Sequence, residues 1–244
     1  MTDALLSLAT YNIHKCRGMD GRVRPERIAE VIAGLDADVV ALQEVVRGKK
    51  DKDQLRVIAK EVGGYNYCFG ATRKLRGADY GNAILSRFPI TAHQHYNITA
   101  SRREPRGCLR ADIKVKKWNG LLMRLFNAHL GTGFIERRKQ AQIMVDSTLL
   151  ADPKFSGARM LLGDFNEWTP GLTTKLLSAH LTSADLRPFM KRVKTYPGVF
   201  PFMHLDHVYF DPAFELRHAS LVRTKLAKVA SDHLPLVAKF GLAE

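Results

Sequence analysis

Short apolar runs that stop at a carboxylate, an amide or a histidine recur along this 244-residue chain, and they constrain its fold more than any other feature. A brief run rich in β-branched residues is a strand buried in a sheet, and its end is where a fixed polar side chain meets an accessible loop. Leu8-Ala9-Thr10-Tyr11 leads to Asn12, Val39-Val40-Ala41-Leu42 to Gln43-Glu44, and Leu125-Phe126-Asn127-Ala128 to His129. Leu161-Leu162-Gly163 leads to Asp164 and Asn166, and Ser231-Asp232-His233 precedes Leu234-Pro235-Leu236. A sixth segment, Leu205-Asp206-His207-Val208-Tyr209, places an acid inside an apolar strand. One such residue reads as a cap or a turn. Six do not.

Strands are expected over residues 5–13, 37–42, 65–69, 82–86, 108–115, 121–128, 160–162, 205–210, 216–223 and 236–240. Pro25 opens a helix whose Ile28, Val31, Ile32 and Leu35 recur at helical spacing, and Leu55, Ile58, Ala59 and Val62 mark a second, stopped by Gly63-Gly64. A charged helix starts near Glu136 and turns Ile143, Met144 and Leu150 inward, and Thr169-Pro170 reads as the cap and first residue of a short one. Residues 8–44 and 124–164 share a plan: a strand ending in Asn-x-His, a helix, then a strand ending in an acid. Two related β-α-β halves would bring both sets of polar ends to one rim of a two-sheet sandwich.

Composition narrows the chemistry. The chain carries 38 basic and 24 acidic residues, a net charge of +14, which attracts polyanions and disfavours cationic substrates or acidic protein partners. Nucleic acid and anionic lipid surfaces both stay open. Cys16, Cys68 and Cys108 are odd in number and lack CxxC spacing, which argues against a disulfide framework or a zinc ribbon. No apolar run reaches the roughly 18–20 residues that cross a bilayer, so no integral membrane association is expected. Met1 to Leu6 lack a basic leader, so no signal peptide is expected and a reducing cytoplasm is the expected compartment; Asn97-Ile98-Thr99 is then a chance glycosylation match. No linker divides the sequence, and a single domain over 1–244, acting as a monomer, is expected.

Glu44, Asp164, Asp206 and Asp232, if brought together, would repel one another unless a cation sat among them. Oxygen ligands select a hard ion, Mg2+ or else Mn2+. Two histidines beside them can act as general base and general acid. That set suits metal-assisted attack of water on a phosphate ester.

Asn12 in TYNIH, Glu44 in LQEV, Asn82 in GNAILSRFPI, His129 in NAHLG, GDFN at 163–166, Asp206 in LDHVY and SDHLPL at 231–236 resemble the endonuclease/exonuclease/phosphatase superfamily, in its motif order. The resemblance implies an α/β fold: a four-layer αββα sandwich, two packed mixed β-sheets flanked by helices, with the active site at one rim. It implies Mg2+-dependent hydrolysis of phosphate esters. It makes Glu44 the principal metal ligand, helped by Asn12, with Asp232 near the metal directly or through water. Asp164 and Asn166 would position the attacking water or a phosphate oxygen, and Asp206 would polarise His233. His129 would protonate or hydrogen-bond the leaving oxygen. Arg106 falls where many members grip phosphate, a task suited to guanidinium, and Asn82 is expected to bind phosphate too. The tyrosine of the exonuclease III branch has no counterpart in that region.

Other residues carry two readings. His14 reads as structural at the rim, Trp168 as a pocket wall or a helix-start residue, and Cys16 and Cys108 as small hydrophobes. Val199-Phe200-Pro201-Phe202-Met203 would insert between bases, touch an acyl chain or pack under a turn. Basic clusters at 73–76 and 102–106 are placed in loops beside the motifs, giving the site a cationic rim. The leading expectation is a phosphodiesterase that nicks DNA with weak sequence selectivity. Behind it stand a hydrolase of phospholipid headgroups or phosphorylated small molecules, and a catalytically silent nucleic-acid-binding module.

Overall fold

The first apolar run becomes β1 (Leu6–Asn12), buried at every residue, and the second becomes β2 (Val39–Arg47). They lie parallel, joined by α1 (Pro25–Ala33), whose Ile28, Val31 and Ile32 turn inward. The computed structural model describes residues 4–243 apart from 50–52, 101, 147–151, 153, 154, 156 and 170. The plan repeats downstream: β7 (Leu121–His129) and β8 (Ala158–Asp164) are parallel, with α3 (Phe134–Asp146) between them. Each pair is flanked alike by antiparallel strands. β12 (Leu236–Leu242) and β4 (Ala78–Ser86) border the first, and β6 (Gly107–Val115) and β10 (Asp206–Phe210) border the second.

With β3 (Asn66–Leu75), β5 (Ile90–Asn97), β9 (Thr182–Ser183) and β11 (Phe214–Leu221), these strands make two mixed six-stranded sheets. Their orders are β11-β12-β1-β2-β4-β3 and β5-β6-β7-β8-β10-β9. Strand periodicity sorts the side chains into layers. Leu6 and Leu8 of β1 join Leu109, Leu125, Leu162 and Val208 between the sheets, while Ala9 and Tyr11 face the other way, with Ile28 and Ile32 of α1. That outer layer is completed by α2 (Gln54–Val62) and α5 (Lys225–Ala230), which contribute Ile58 and Ala227. The second sheet buries Phe126, Leu161 and Tyr209 with Met144 of α3 and Leu177 of α4 (Leu172–Ser178). Three apolar seams define the four layers.

The Asn127 side chain makes a polar bridge across the inter-sheet seam. The Asn127 amide donates to the carbonyls of Leu42 (2.9 Å) and Ala83 (2.8 Å), and its oxygen accepts from Gln43 Nε2 (2.8 Å). Replacing Asn127 by Ala leaves buried carbonyls without donors, each worth about 1–3 kcal/mol. Urea titration is expected to show a loss of about 2–4 kcal/mol; an unchanged midpoint would mean that water replaces the amide.

Several elements differ from the sequence expectation. The strand at 37–42 does not stop at Glu44 but runs to Arg47, interrupted by a bulge between Leu42 and Val45. β3 continues through Arg73-Lys74-Leu75, so that basic cluster lies largely in a strand rather than a loop. β5 has no apolar run to reveal it, because it is an edge strand with mostly exposed side chains. α4 starts at Leu172 with Gly171 as its cap, not Thr169, and Pro170 lies outside the described residues. α3 begins at Phe134 rather than near Glu136, and Leu150, expected to turn inward, is likewise outside the described residues. The short α5, capped by the Thr224 side chain, lay unrecognised just before Ser231.

Candidate active site

The C-terminal ends of the two parallel pairs converge on one cavity of about 330 Å³. Asn12, Glu44, Arg106, His129, Asp164, Asn166, Asp232 and His233 all line it. Local backbone strain aims two of them: Glu44 sits in the β2 bulge at φ 59°, and Asn166 follows β8 at φ 51°. Gly163, one residue before Asp164, has φ 149° and lies against Ala128 of β7, where a Cβ would collide with the Ala128 carbonyl oxygen. Only glycine lets β7 and β8 close up where His129 and Asp164 pair in register.

Asp164 is the hub. Its Oδ2 accepts from Asn12 Nδ2 at 2.9 Å and lies 3.6 Å from both His129 Nε2 and His233 Nε2. Its Oδ1 accepts the Asn166 backbone N–H at 3.0 Å, while the Asn166 amide donates to the Leu130 carbonyl. Behind the cavity wall, fully buried Asp206 meets His233 Nδ1 at 2.9 Å. Asn12 Nδ2 also reaches Glu44 Oε1, and the Lys15 ammonium bonds Glu44 Oε2. Arg106 Nη1 lies 3.4 Å from the His129 ring nitrogens, and its Nη2 pairs with Glu104 at 3.1 Å.

This arrangement splits the two histidines. Burial pushes the His233 imidazole down, but the Asp206 and Asp164 carboxylates outweigh it and hold the group at about 10. Burial also pushes His129 down, and the neighbouring Arg106 guanidinium takes it to about 4. Burial raises the Glu44 carboxyl, yet His129, Lys15 and His14 together bring it to about 2. In the metal-free protein His233 is therefore a cation and His129 a neutral ring at pH 7. An imidazole that titrates near 10, against about 6.5 unfolded, adds stability that is complete below about 6.5 and lost as pH rises through 10. NMR titration of the metal-free protein is expected to show His233 still protonated at pH 8. Asp206→Asn should move its midpoint down, whereas a midpoint near 6.5 in the parent would deny the carboxylate pairing.

Asn82 departs from its expected role in binding phosphate. It is buried between the sheets, its amide donates to the carbonyls of Gly107 (3.0 Å) and Asn127 (3.2 Å), and it does not line the cavity. Both amide hydrogens are committed to backbone, so Asn82 fixes β6 against β4 beside Arg106 instead of reaching a ligand. Trp168 lines the cavity and is half exposed, which makes it a pocket wall. His14 faces Asp232 at 3.6 Å, and its backbone N–H donates to Asn12 Oδ1. Cys16 and Cys108 are fully buried, and burial pushes both thiols up. Sequence reasoning missed Lys15, Thr132 and Tyr196, and gave Met203 and Leu205, read as part of an apolar run and of a strand, no place in the cavity wall. Lys15 left a signal, a cation three residues beyond the Asn12 strand end; Thr132 and Tyr196 arrive from loops.

Residues 9–233 match the model of the Endonuclease/Exonuclease/phosphatase family. The chain belongs to this family. The Escherichia coli (strain K12) protein YbhP is 28% identical over 247 residues, covering 96% of this chain and 95% of YbhP. An endonuclease/exonuclease/phosphatase from Beutenbergia cavernae DSM 12333 superposes with a TM-score of 0.78 at 25% identity, covering 98% of this chain and 72% of that one. The Bacteroides thetaiotaomicron mannosyl-6-phosphatase Bt3783 has the same fold, with a TM-score of 0.79 at 20% identity over 96% of this chain and 99% of its own. Family membership makes the chain a phosphoric ester hydrolase, of a family whose enzymes are generally dependent on divalent metal. Among the described residues, no helix is long and apolar enough to cross a membrane.

The cavity suits such an ion by the chemistry of its donors. Glu44 and Asp232 present hard carboxylate oxygens, with Asn12 beside them through its amide, and Glu44 is ionised at neutral pH and paired with the Lys15 ammonium. Among the described residues, no three His, Cys, Asp or Glu side chains already form a closed cage.

Proposed function

We propose that the chain is a Mg2+-dependent phosphodiesterase, and the Asp206–His233–Asp164 array beside Glu44 is the observation that carries the reading. Glu44, Asp232 and Asn12 would hold the ion. Bound there, it would supply positive charge that neutralises the phosphate and lowers the proton affinities of water and of His233. Arg106 faces the same space with its guanidinium braced by Glu104, and grips a phosphate oxygen. Asp164 and Asn166 orient the attacking water. His233, fixed in tautomer by Asp206, takes its proton. His129 is a neutral ring beside Arg106 and serves as a hydrogen-bond donor to the leaving oxygen rather than as a stored acid.

A DNA backbone, cleaved with weak sequence selectivity, is supported by the net charge of +14 and by exposed Arg102 and Arg103 close to Arg106. A phospholipid diester is supported by a different observation, the apolar side chains around the mouth, for which charge gives no reason. Supercoiled plasmid and phospholipid vesicles, each incubated with Mg2+ or with EDTA, test the reading. Either nicking or headgroup release that needs Mg2+ is expected. Binding without turnover of either would leave a silent module, and EDTA-resistant turnover would remove the metal.

A further inference from the structure

Single exposed hydrophobes need no explanation, but a cluster at the mouth of a reactive cavity does. Phe200 is 80% exposed, Phe202 58% and Val199 54%, all in one loop. That loop is built to project. Its base is closed by backbone bonds between Tyr196 and Met203, both of which line the cavity, and Gly198 N–H is anchored to the Asp232 carbonyl at 2.6 Å. The Tyr196 ring lies 5.0 Å from that of His233, so the loop is rooted in the wall of the cavity and its exposed apolar tip lies a few residues beyond. A second prominence, Phe134 and Ile135, opens α3 beside Trp168 and Thr132, which line the same cavity.

Cations accompany both prominences. Exposed Lys191, Arg192 and Lys194 lead into the first, and exposed Arg138 and Lys139 follow the second. Apolar tips interleaved with lysine and arginine match the interface of an anionic bilayer, where acyl chains receive the former and headgroup phosphates the latter. A duplex offers charge to the cations but only phosphates and stacked bases to two separate apolar projections.

We infer that this mouth docks on an anionic lipid surface, with Val199, Phe200 and Phe202 entering the headgroup boundary and the flanking cations contacting phosphates. The inference rests on the phosphodiesterase reading for what the docked cavity does, and it makes a membrane phosphodiester the substrate class. Docking would set the lipid phosphate level with Arg106 and His233 without lifting the acyl chains from the bilayer.

Flotation of the full chain with vesicles of phosphatidylglycerol and phosphatidylcholine, against phosphatidylcholine alone, tests it. Binding to the anionic vesicles that weakens with salt is expected. The triple substitution Val199→Ser, Phe200→Ser, Phe202→Ser should weaken it by at least ~10²-fold, from the apolar area withdrawn. The single Phe200→Asp should act in the same direction, a second variant should the triple one fold poorly. None of these side chains lines the cavity, so hydrolysis of soluble bis(p-nitrophenyl) phosphate should match the parent's. Failure of the parent to float with anionic vesicles overturns the inference, as does equal flotation of the triple variant. Duplex DNA binding that the triple variant loses, with no vesicle binding in the parent, also overturns it. Vesicle binding as expected with no hydrolysis of the soluble diester would sink the phosphodiesterase reading and leave the docking surface standing.

Discussion

His233→Ala is expected to lower turnover by at least ~10²-fold, the scale on which a positioned base acts. The ring is buried, bonded through Nδ1 to Asp206 and directed through Nε2 toward Asp164, which fixes the nitrogen that accepts the proton. Removing it also leaves the buried Asp206 charge without its partner, and such losses cost about 3–5 kcal/mol. The variant should therefore be assayed well below its melting temperature, next to Asp206→Asn, which keeps the shape and alters only the polarisation of the ring. Both are expected to lose turnover on the Mg2+-dependent substrate. Near-parental rates in a folded His233→Ala protein would take the ring out of the mechanism.

Asp164→Asn should be comparably damaging for a different reason. The substitution is isosteric, and Asn12, His129 and His233 can all stay in place around it. What goes is the one negative charge that faces both imidazoles, and it favours the protonated form of each. Turnover is expected to fall at least ~10²-fold, and NMR should show both imidazole midpoints moving down while the melting temperature changes little. Retained activity would show that Asp164 only organises its neighbours. A fall in turnover without movement of either midpoint would place it on the substrate instead.

Most of the site could be read from the chain because strands fix what sits at their ends. Asn12, His129 and Asp164 each close a strand whose apolar run is plain, and the two Asn-x-His halves correspond to the same order of flanking strands in the two sheets. Asn82 shows the limit of that logic. It sits within a motif, but a buried amide between two sheets has carbonyls within reach, and those take its hydrogens. The bulge at Glu44 was hidden for a related reason: Val45-Val46 continue the apolar pattern, and only pairing with β4 shows the slipped register.

Apolar periodicity and the polar stops, both local, were enough to determine the strands, the paired halves and the residue types available for phosphate chemistry. Which of these would meet, at what distance and in which protonation state came from packing. Burial lowers both rings, but the Asp206 and Asp164 carboxylates carry His233 up while the Arg106 guanidinium takes His129 further down, although the two begin as identical side chains. The same holds at the mouth. A run such as Val199-Phe200-Pro201-Phe202-Met203 has one composition whether it fills a core or faces water, and only the closure of its base against Asp232 turned it outward.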